Sequence, residues 1–370
     1  MPAKLAPGPY RLHIDLIRPS QLSNADAATW SRLQAADPGL DSPFLGPNWA
    51  QAVERAQGGE RSGVRVALLQ DGGGARGFFS ARQRGPIAMP VGAPMCDYQG
   101  LVADAGLHVD GRQLLEALKV DRLDFSHMLA EQPAFSAHLR GLDVSHGVDL
   151  SAGYAAYVAE RRAQTGLLKD LDKRRRKAER EVGPVVFEAY SRSQAAFDKL
   201  IAWKRQLMRA TGQTDLFEAD WPLRLLSDLF ASRDPDFGGV LFTLSIGDQL
   251  VAAHLHLRGR HTVHAWIIGH DEAMDRFSPG LLLFQDILKW MDDTPYWYLD
   301  FGPGDYRFKH QFANARQSIG HGFVGRLSTA ALVREAQYRV RGLAERFDLG
   351  EVSSLPGKAM RRLDLWRGLK

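Results

Sequence analysis

The sequence predicts an α/β protein built from two domains of similar size, with mixed sheets flanked by helices. The chain has 370 residues, which is long for one ordinary domain and sufficient for two. Hydrophobic residues make up 45% of the chain and charged residues 24%, which is a globular composition. From residue 183 onward, hydrophobic periodicity and turn signals predict the element order β, α, α, β, β, β, α, β, α, β.

The first domain is predicted at residues 1–150, where strands and helices alternate. The stretch "DSPFLGPNWAQAVERAQ" reads as a turn followed by a short helix, because Pro47 suits a first helical position. Two apolar runs around Asp71 and the three glycines after it predict a β-hairpin. These glycines do not indicate a phosphate-binding loop, since neither the Lys-Ser/Thr pair nor a helix follows them.

The remaining chain is predicted as three segments. A long charged helix over 152–181 is expected to make residues 151–182 a linker between the domains. Residues 183–328 form the second domain, which includes a strand "HTVHAWIIGHD", a helix over 279–291 and a strand "YWYLDFG". Residues 329–370 are expected to form a basic helical tail.

Positive charge is concentrated in two places. Residues 161–182 carry nine basic and four acidic side chains, and residues 330–370 carry nine and five. Such segments are either solvated helix faces or docking surfaces for phosphate, such as a cofactor, a cyclic dinucleotide or an anionic membrane surface. DNA is not an expected partner, because the basic runs lack interleaved aromatic residues.

The cysteine content and the hydropathy pattern favour a cytoplasmic protein, or one held at the inner face of a membrane. Cys96 is the single cysteine, which excludes a disulfide scaffold. The beginning of the chain, "MPAKLAPGPYRLHIDLIRPS", lacks the apolar run of a signal peptide. No window of the sequence reaches the roughly 18 apolar residues that a membrane-spanning helix needs.

A candidate binding site for a cofactor that carries a diphosphate lies around Ser278, which precedes the predicted helix 279–291. Ser278 suits the N-cap, Pro279 the first helical residue, and Gly280 gives close access to free N–H groups that can hold a diphosphate. Strand "YWYLDFG" should lie parallel to the strand 262–268, and a gap between them would admit an amide-bearing arm such as pantetheine. The predicted cofactor-binding residues are Trp266, Ile267, Ile268, Arg276, Ser278, Gly280 and Leu281.

Three motifs resemble a known enzyme family. They are "GDQLVAAHLHL" (247–257), "RFSPGLLLFQDIL" (276–288) and "LDFGPGDYRFKHQFA" (299–313). They resemble segments of the GNAT-type acyltransferases named for cellulose biosynthesis, the CelD/BcsL family, which is distantly related to the FemAB peptidoglycan enzymes. "SPFLGPNWAQAV" and "GAPMCDYQGLV" resemble the amino-terminal signatures of that family, so the resemblance covers most of residues 40–325.

The resemblance implies a fold and a reaction. The fold would be two tandem GNAT-like acyl-CoA N-acyltransferase domains, with the acceptor bound in the cleft between them. The reaction would move an acyl group from acetyl-CoA, or from a longer acyl-CoA, to an amino group of a bacterial surface polysaccharide or an amino-sugar precursor. One departure stands at 304–309, where the family has Gly-Asp-Glu-x-Tyr-Lys and this chain has "GDYRFK".

The last motif supplies the predicted catalytic residues. Asp300 and Asp305 are candidates for the base that takes a proton from the amine, and Tyr306 is a candidate for the acid. Lys309 would pair with Asp305 or bind an anionic acceptor. Structural alternatives are helix capping for Asp305 and a surface ion pair for Lys309.

Three residues are assigned to the acceptor. His256 is expected to line the acceptor cleft, and the FemAB-like arrangement implies that Asp97 and Tyr98 face it. His254, His256 and His264 could form a metal site, but no metal is expected because neither cysteine nor acidic residues stand at ligand spacing.

Three other readings stay open. The donor could be a long-chain acyl-CoA and the acceptor a lipid amine such as a sphingoid base, with the basic tail holding the enzyme at a membrane. The chain could be an effector that binds a cyclic dinucleotide through the arginine-rich stretches 173–180 or 334–367, which substitution of Arg174–Arg176 or Arg361–Arg362 would test. The donor could also be an aminoacyl-tRNA, as in FemAB relatives.

Overall fold

The computed structural model describes residues 12–347 and 355–370, which divide into two compact units. Unit 1 contains the described residues up to Leu40, Phe44–Leu142 and the described residues from Ile319 onward. Unit 2 contains Asp41–Pro43 and Asp143–Ser318. Two strands pass from one unit into the other, β7 (Leu139–Asp149) and β13 (Ala315–Gly325).

Unit 1 is a mixed sheet with helices. Its sheet has the order β1-β2-β3-β4-β6-β13, and a short β5 pairs with β3. Among the named strands paired inside this unit, β4 and β6 run parallel and the other described pairs are antiparallel. The strands are β1 (His13–Ile17), β2 (Val64–Asp71), β3 (Gly74–Arg84), β4 (Ile87–Met89), β5 (Val102–Ala103) and β6 (Arg122–Leu129). The helices are α1 (Asn24–Ala35), α2 (Pro47–Ala56), α3 (Gly111–Ala117), α4 (Pro133–Ser136), α11 (Thr329–Arg346) and α12 (Leu355–Leu369).

Unit 2 is a second mixed sheet with helices. Its strand order is β7-β12-β11-β10-β9-β8, in which β11 and β12 are parallel. The strands are β8 (Val185–Glu188), β9 (Gly238–Ile246), β10 (Gln249–Arg258), β11 (Thr262–His270) and β12 (Tyr298–Pro303). The helices are α5 (Tyr154–Gln164), α6 (Leu167–Glu181), α7 (Gln194–Ala210), α8 (Asp220–Ala231), α9 (Pro279–Met291) and α10 (Arg307–Phe312). From β8 to β13 the elements follow the predicted order.

Helix α9 shows how the sequence builds the core of unit 2. Pro279 fixes a helical φ at the first position, where a missing N–H costs nothing. Leu283, Ile287 and Met291 then recur every four residues, so they lie on one face of the helix. All three are buried in a cluster with side chains of the unit 2 strands. This packing attaches α9 to the sheet and thereby sets the position of the first turn of α9.

The segment 151–182 corrects the predicted linker. It forms two helices, α5 and α6, which are separated at Thr165 and Gly166 instead of forming one helix. Tyr157, Leu168 and Leu171 from these helices belong to the core cluster of unit 2. Because these apolar side chains are buried, the segment is part of that unit.

The carboxyl-terminal boundary also differs from the predicted division. Residues 319–328, which were assigned to the second domain, lie in unit 1, and so does the described part of the predicted tail. Arg82 Nη1 donates a hydrogen bond of 2.7 Å to the carbonyl of Gly368, which attaches the end of α12 to β3. None of the described helices is long and apolar enough to cross a membrane.

Candidate active site

Strands β11 and β12 pair over a short distance and then stop. Their parallel register joins Thr262 with Tyr298, Val263 with Leu299, and His264 with Asp300. On the other side of β11, the register with β10 shifts between the pairs Leu255–Ile267 and His256–Ala265. This shift leaves Trp266 as an extra residue in β11.

Trp266 therefore forms a β-bulge two residues beyond the last pair with β12. A bulge bends its strand and increases the local twist, which explains why β11 departs from its neighbour here. The edge of β11 after His264 is no longer paired with β12 within the described residues. An extended chain bearing amides could pair with this edge.

The first turn of α9 lies beside the end of β11. A Cβ placed on Gly280 would be 3.5 Å from Nδ1 of His270, the last residue of β11. The predicted residues Trp266, Ile267 and Ile268 are thus brought to the same region as Ser278, Gly280 and Leu281. Ile268 and Leu281 are partly buried and pack on the core of unit 2, whereas the side chain of Ile267 is buried.

The start of α9 has the features of an anion-binding helix terminus. Ser278 stands at the N-cap in a left-handed conformation (φ 53°), and within the described part of the chain its side chain makes no capping hydrogen bond. Its Oγ instead accepts from Nη1 of Arg174 on α6. The first turn contains no acidic residue. The helix dipole and Arg174 together favour a negative group here.

The side chain of Arg276 lies over the ring of the neighbouring Phe277, and the cation that bonds to Ser278 is Arg174. The Arg276 guanidinium lies 4.6 Å from the ring centroid of Phe277, and the residue is exposed. Sequence reasoning overlooked Arg174, because its approach to Ser278 spans 104 residues and depends on how α6 packs.

The equivalent region of unit 1 is closed by the chain itself. Strands β4 and β6 also run parallel for only two pairs, Ile87–Arg122 and Ala88–Leu123. Beyond them, Gln99 pairs with β6: its N–H donates to the His127 carbonyl (2.9 Å), and its carbonyl accepts from the N–H of Leu129 (3.0 Å). The space beyond the parallel strand pair is therefore filled in unit 1 by the chain around Gln99, whereas in unit 2 no pairing of β11 with β12 is described beyond His264 and Asp300.

The helix that follows this edge in unit 1 is also capped. The carboxylate of Asp110 accepts a hydrogen bond of 3.0 Å from the N–H of Arg112 at the start of α3. A carboxylate at this position repels an incoming anion. The two units thus share a strand arrangement, but unit 2 has the features of a donor site.

The turn after β12 explains the glycines of the last motif. Gly302 and Gly304 adopt φ angles of 70° and 106°, which side chains other than glycine rarely tolerate. Lys309 Nζ donates to the carbonyls of Gly302 (2.9 Å) and Pro303 (2.6 Å). These two hydrogen bonds hold the turn. Because Lys309 is also buried, its predicted role as a partner of Asp305 or of an acceptor is corrected.

Asp300 is an internal residue. It is 2% exposed, and its Oδ1 accepts from Ser145 Oγ (3.1 Å) and from the N–H of Gly302 (2.6 Å). Its Oδ2 lies 3.4 Å from Nδ1 of His264. These contacts fix the point where β11 and β12 separate, so the geometry favours a positioning role for Asp300 over that of a base.

Asp305 pairs with His310, which sequence reasoning did not select. His310 Nε2 donates to Oδ1 of Asp305, and this hydrogen bond holds the pKa of Asp305 below its usual value. The His146 ring packs edge-on against His310 at 4.5 Å. Burial, and then the charge of His310, lowers the pKa of His146. Tyr306 is 58% exposed and is the N-cap residue of α10.

The Asp305–His310 pair can act as a base. With Nε2–H donating to Asp305, Nδ1 of His310 is left to accept a proton. The signal that could have identified the pair was an acid followed by a histidine five residues later within one short motif.

The predicted acceptor residues are less accessible than expected. His256 is 0% exposed and lies between the rings of Phe242 (5.0 Å) and Phe284 (6.0 Å), which corrects its placement in an acceptor cleft. Tyr98 is 2% exposed against Phe44, so its side chain is a core residue as well. Asp97 is partly buried, and after burial its charge is the second cause that raises the pKa of Cys96.

The residues that the structure describes contain no group of three or more His, Cys, Asp or Glu side chains that could hold a metal ion. The histidines that raised this question, His254, His256 and His264, are all buried.

Solved structures show the same fold at low sequence identity. FemX has a TM-score of 0.57 at 9% identity, over 87% of this chain and 99% of its own. A conserved protein of unknown function from Bacteroides thetaiotaomicron has a TM-score of 0.50 at 9% identity, over 84% and 100%. A C-terminal domain from Agrobacterium fabrum has a TM-score of 0.50 at 13% identity, over 85% and 96%. None of the curated proteins compared with this chain matches its sequence.

A family model matches part of the chain, and this part contains the candidate site. The model described as an acetyltransferase (GNAT) domain matches residues 166–310, which begin next to α6 and end within α10. This range contains the bulge at Trp266, the start of α9 and the Asp305–His310 pair. The predicted α/β fold of tandem GNAT type and the predicted enzyme class are confirmed. Residues 166–310 match this GNAT acetyltransferase domain model, and the GNAT family implies an acyl-CoA as co-substrate.

Proposed function

We propose that unit 2 transfers an acetyl group from acetyl-CoA to an amino group of a bacterial surface polysaccharide or its amino-sugar precursor. The observation that carries the proposal is the separation of β11 from β12 beside the uncapped start of α9. Acetyl as the acyl group follows the description of the matching family, and the acceptor class follows the motif resemblance to the CelD/BcsL enzymes.

The donor has a defined place in this proposal. The diphosphate would bind at the N–H of Gly280, with Arg174 as the nearby cation, since the N–H of Leu281 already donates to the carbonyl of Ser278 (3.0 Å). The pantetheine amides would pair with the edge of β11 beyond His264. The thioester would then lie near the turn that Lys309 holds at the end of β12.

The reaction needs one proton to be moved from the acceptor to the leaving thiolate. The amine attacks the thioester carbonyl carbon, so that a C–N bond forms and the C–S bond breaks. His310 takes the proton that the amine loses, while Asp305 holds its ring and stabilises the imidazolium. Tyr306 supplies a proton to the thiolate and recovers one from His310 or from water.

Gly280 offers a test of the donor site with a matched control. We expect Gly280→Glu to weaken acetyl-CoA binding at least tenfold, because it places a carboxylate where the diphosphate would lie. Gly280→Gln adds nearly the same volume without the charge. A Cβ at this position meets its nearest atoms at 3.5 Å and 3.7 Å, which are ordinary contact distances. Calorimetric titration should show a much smaller loss for the Gln variant.

The same titration distinguishes the donors. Preference for acetyl-CoA over a long-chain acyl-CoA is the expected result. Preference for the long chain would replace the acetyl group in the proposal. Failure of the wild-type protein to bind either compound would contradict the donor site.

The base is tested separately from binding. We expect His310→Ala to lower the rate of glucosamine acetylation by 10²- to 10⁴-fold while acetyl-CoA still binds, because general base catalysis contributes about this much. Asp305→Asn should cause a smaller loss, since His310 then lacks its charged partner. Unchanged rates in both variants would remove the pair from the mechanism.

A further inference from the structure

Helix α11 has its charged and apolar faces reversed relative to an ordinary surface helix. Of its side chains, the ones that are buried are Ala331 and Arg334. Arg334 is 2% exposed and binds two carboxylates, those of Asp124 (3.0 Å) and Asp364 (2.5 Å). The helix is therefore attached to unit 1 through a charged residue.

The opposite face of α11 is apolar and exposed. Val333, Val340 and Leu343 are 48%, 55% and 54% exposed, and Phe347 just after the helix is 63% exposed. Their spacing of three, four and seven residues puts them on one face of the helix. Single exposed apolar residues are normal on protein surfaces, but a contiguous row of them marks an interaction site.

Helix α12 continues this apolar surface. Ala359, Met360 and Leu363 of α12 line one groove together with Val333, Ala336 and Val340 of α11. Leu355 and Trp366, at the two ends of α12, are 54% and 52% exposed. The two helices thus present one apolar surface, which we call the α11–α12 face.

The helices that form the α11–α12 face carry an excess of cations. Residues 330–347 and 355–370 together carry nine Lys or Arg and three Asp or Glu. Four of the cations, Arg346, Lys358, Arg361 and Arg362, are exposed and have no ion pair with a described residue. Lys370 lies 3.6 Å from the ring centroid of Trp366, an aromatic residue that favours membrane interfaces.

We propose that the α11–α12 face docks on an anionic phospholipid membrane. Its apolar row would enter the region between headgroups and acyl chains, and its unpaired cations would contact lipid phosphates. A second copy of the chain is a poorer partner for the same face, because it would bring an equal excess of positive charge against it. The docking does not depend on the proposed acetyl transfer.

Vesicle sedimentation of the full chain tests this proposal. We expect binding to vesicles of equal parts phosphatidylglycerol and phosphatidylcholine, at least tenfold weaker binding to phosphatidylcholine alone, and release at high salt. Leu343→Glu with Phe347→Glu should reduce binding at least fivefold, and so should Arg361→Glu with Arg362→Glu. All four side chains are exposed, so these variants should fold.

A control that changes the net charge by as much as the Arg361→Glu, Arg362→Glu variant separates binding by a defined surface from binding by overall positive charge. Lys173 and Arg176 are exposed on α6 in unit 2, and their replacement by Glu should leave vesicle binding near the wild-type level. Equal loss in the control, equal binding to neutral vesicles, or no binding to anionic vesicles would overturn the proposal. So would a dimer in analytical ultracentrifugation that disappears in the Leu343→Glu, Phe347→Glu variant without any vesicle binding.

Discussion

At the scale of single residues, burial keeps His254 neutral. It is 1% exposed, its ring lies 4.5 Å from Phe284, and burial lowers its pKa to about 3. The unfolded chain binds a proton to this histidine near the usual pKa of 6.5, so acid favours the unfolded state. Stability that is present above pH 6.5 is therefore lost as the pH falls toward 3.

This linkage predicts a specific effect of His254→Phe. The wild-type free energy of unfolding should fall by roughly 2 kcal/mol more than that of the variant between pH 7 and pH 5, since one pKa unit corresponds to about 1.4 kcal/mol. Urea unfolding at the two pH values measures the difference, and any constant cost of the larger ring cancels. His108→Phe, at an exposed site, is the control. Equal acid sensitivity in wild type and His254→Phe would show that His254 is not the source.

At the scale of elements, the contact of α6 with α9 supports the candidate donor site. Arg175 donates to both carboxylate oxygens of Asp286 at 2.6 Å, and Gln285 Nε2 donates to Asp172 at 2.9 Å. These contacts place α6 where Arg174 reaches Ser278. Arg175 is therefore engaged inside unit 2, which weakens its predicted role in binding a cyclic dinucleotide.

Arg175→Met should destabilise the protein by about 1–3 kcal/mol, because it leaves the carboxylate of Asp286 mostly buried without its partner. Burial already raises the pKa of Asp286 above its usual value of 3.8 although Arg175 opposes this. Losing Arg175 raises that pKa further, so the deficit should grow as the pH rises above 4 and shrink in acid. Denaturant unfolding at pH 4 and pH 7 measures this.

Arg176→Met is the matched control for the Arg175 prediction. Arg176 is the next residue on α6, and it is exposed. Its replacement should change the free energy of unfolding by less than about 0.5 kcal/mol. A similar loss in both variants would mean that the pair with Asp286 does not hold α6 in place.

Elements were predictable where one local pattern determines them. Helix α9 has the predicted bounds, since Pro279 begins it and its apolar repeat continues to Met291. The break between α5 and α6 was missed because charged, helix-favouring residues surround Gly166 on both sides. The bulge at Trp266 is invisible in the sequence, because it exists only in the register between β10 and β11.

The site was predictable to a smaller extent than the fold. The candidate donor side was proposed from residues adjacent in sequence around Ser278, and it stays a prediction. The roles of Lys309 and His256 were misassigned because sequence spacing does not reveal burial, and both side chains are buried. His310 was missed because its contact with Asp305 is made across the start of α10, which sequence spacing alone does not show.

At the scale of the whole molecule, the two units use one strand arrangement in different ways. In each unit a parallel pair is short, with three residue pairs between β11 and β12 and two between β4 and β6. In unit 1 the chain around Gln99 pairs with the edge of β6, and Asp110 caps the next helix. In unit 2, among the described residues, β11 and β12 do not pair beyond His264 and Asp300, and Ser278 makes no side-chain cap at the start of α9. One unit is thus suited to bind a donor, and the other is filled by its own backbone.

This asymmetry predicts that one chain binds one molecule of acetyl-CoA. Calorimetric titration should give a stoichiometry of one, and Gly280→Glu should weaken that binding event as a whole, with no second class of sites remaining. Asp110→Ala should leave the stoichiometry at one, because Gln99 still occupies the edge of β6 even when the carboxylate is absent. A stoichiometry of two, or half of the binding heat surviving in Gly280→Glu, would show that unit 1 also accepts the donor, and the closed edge at Gln99 would then have to open in solution.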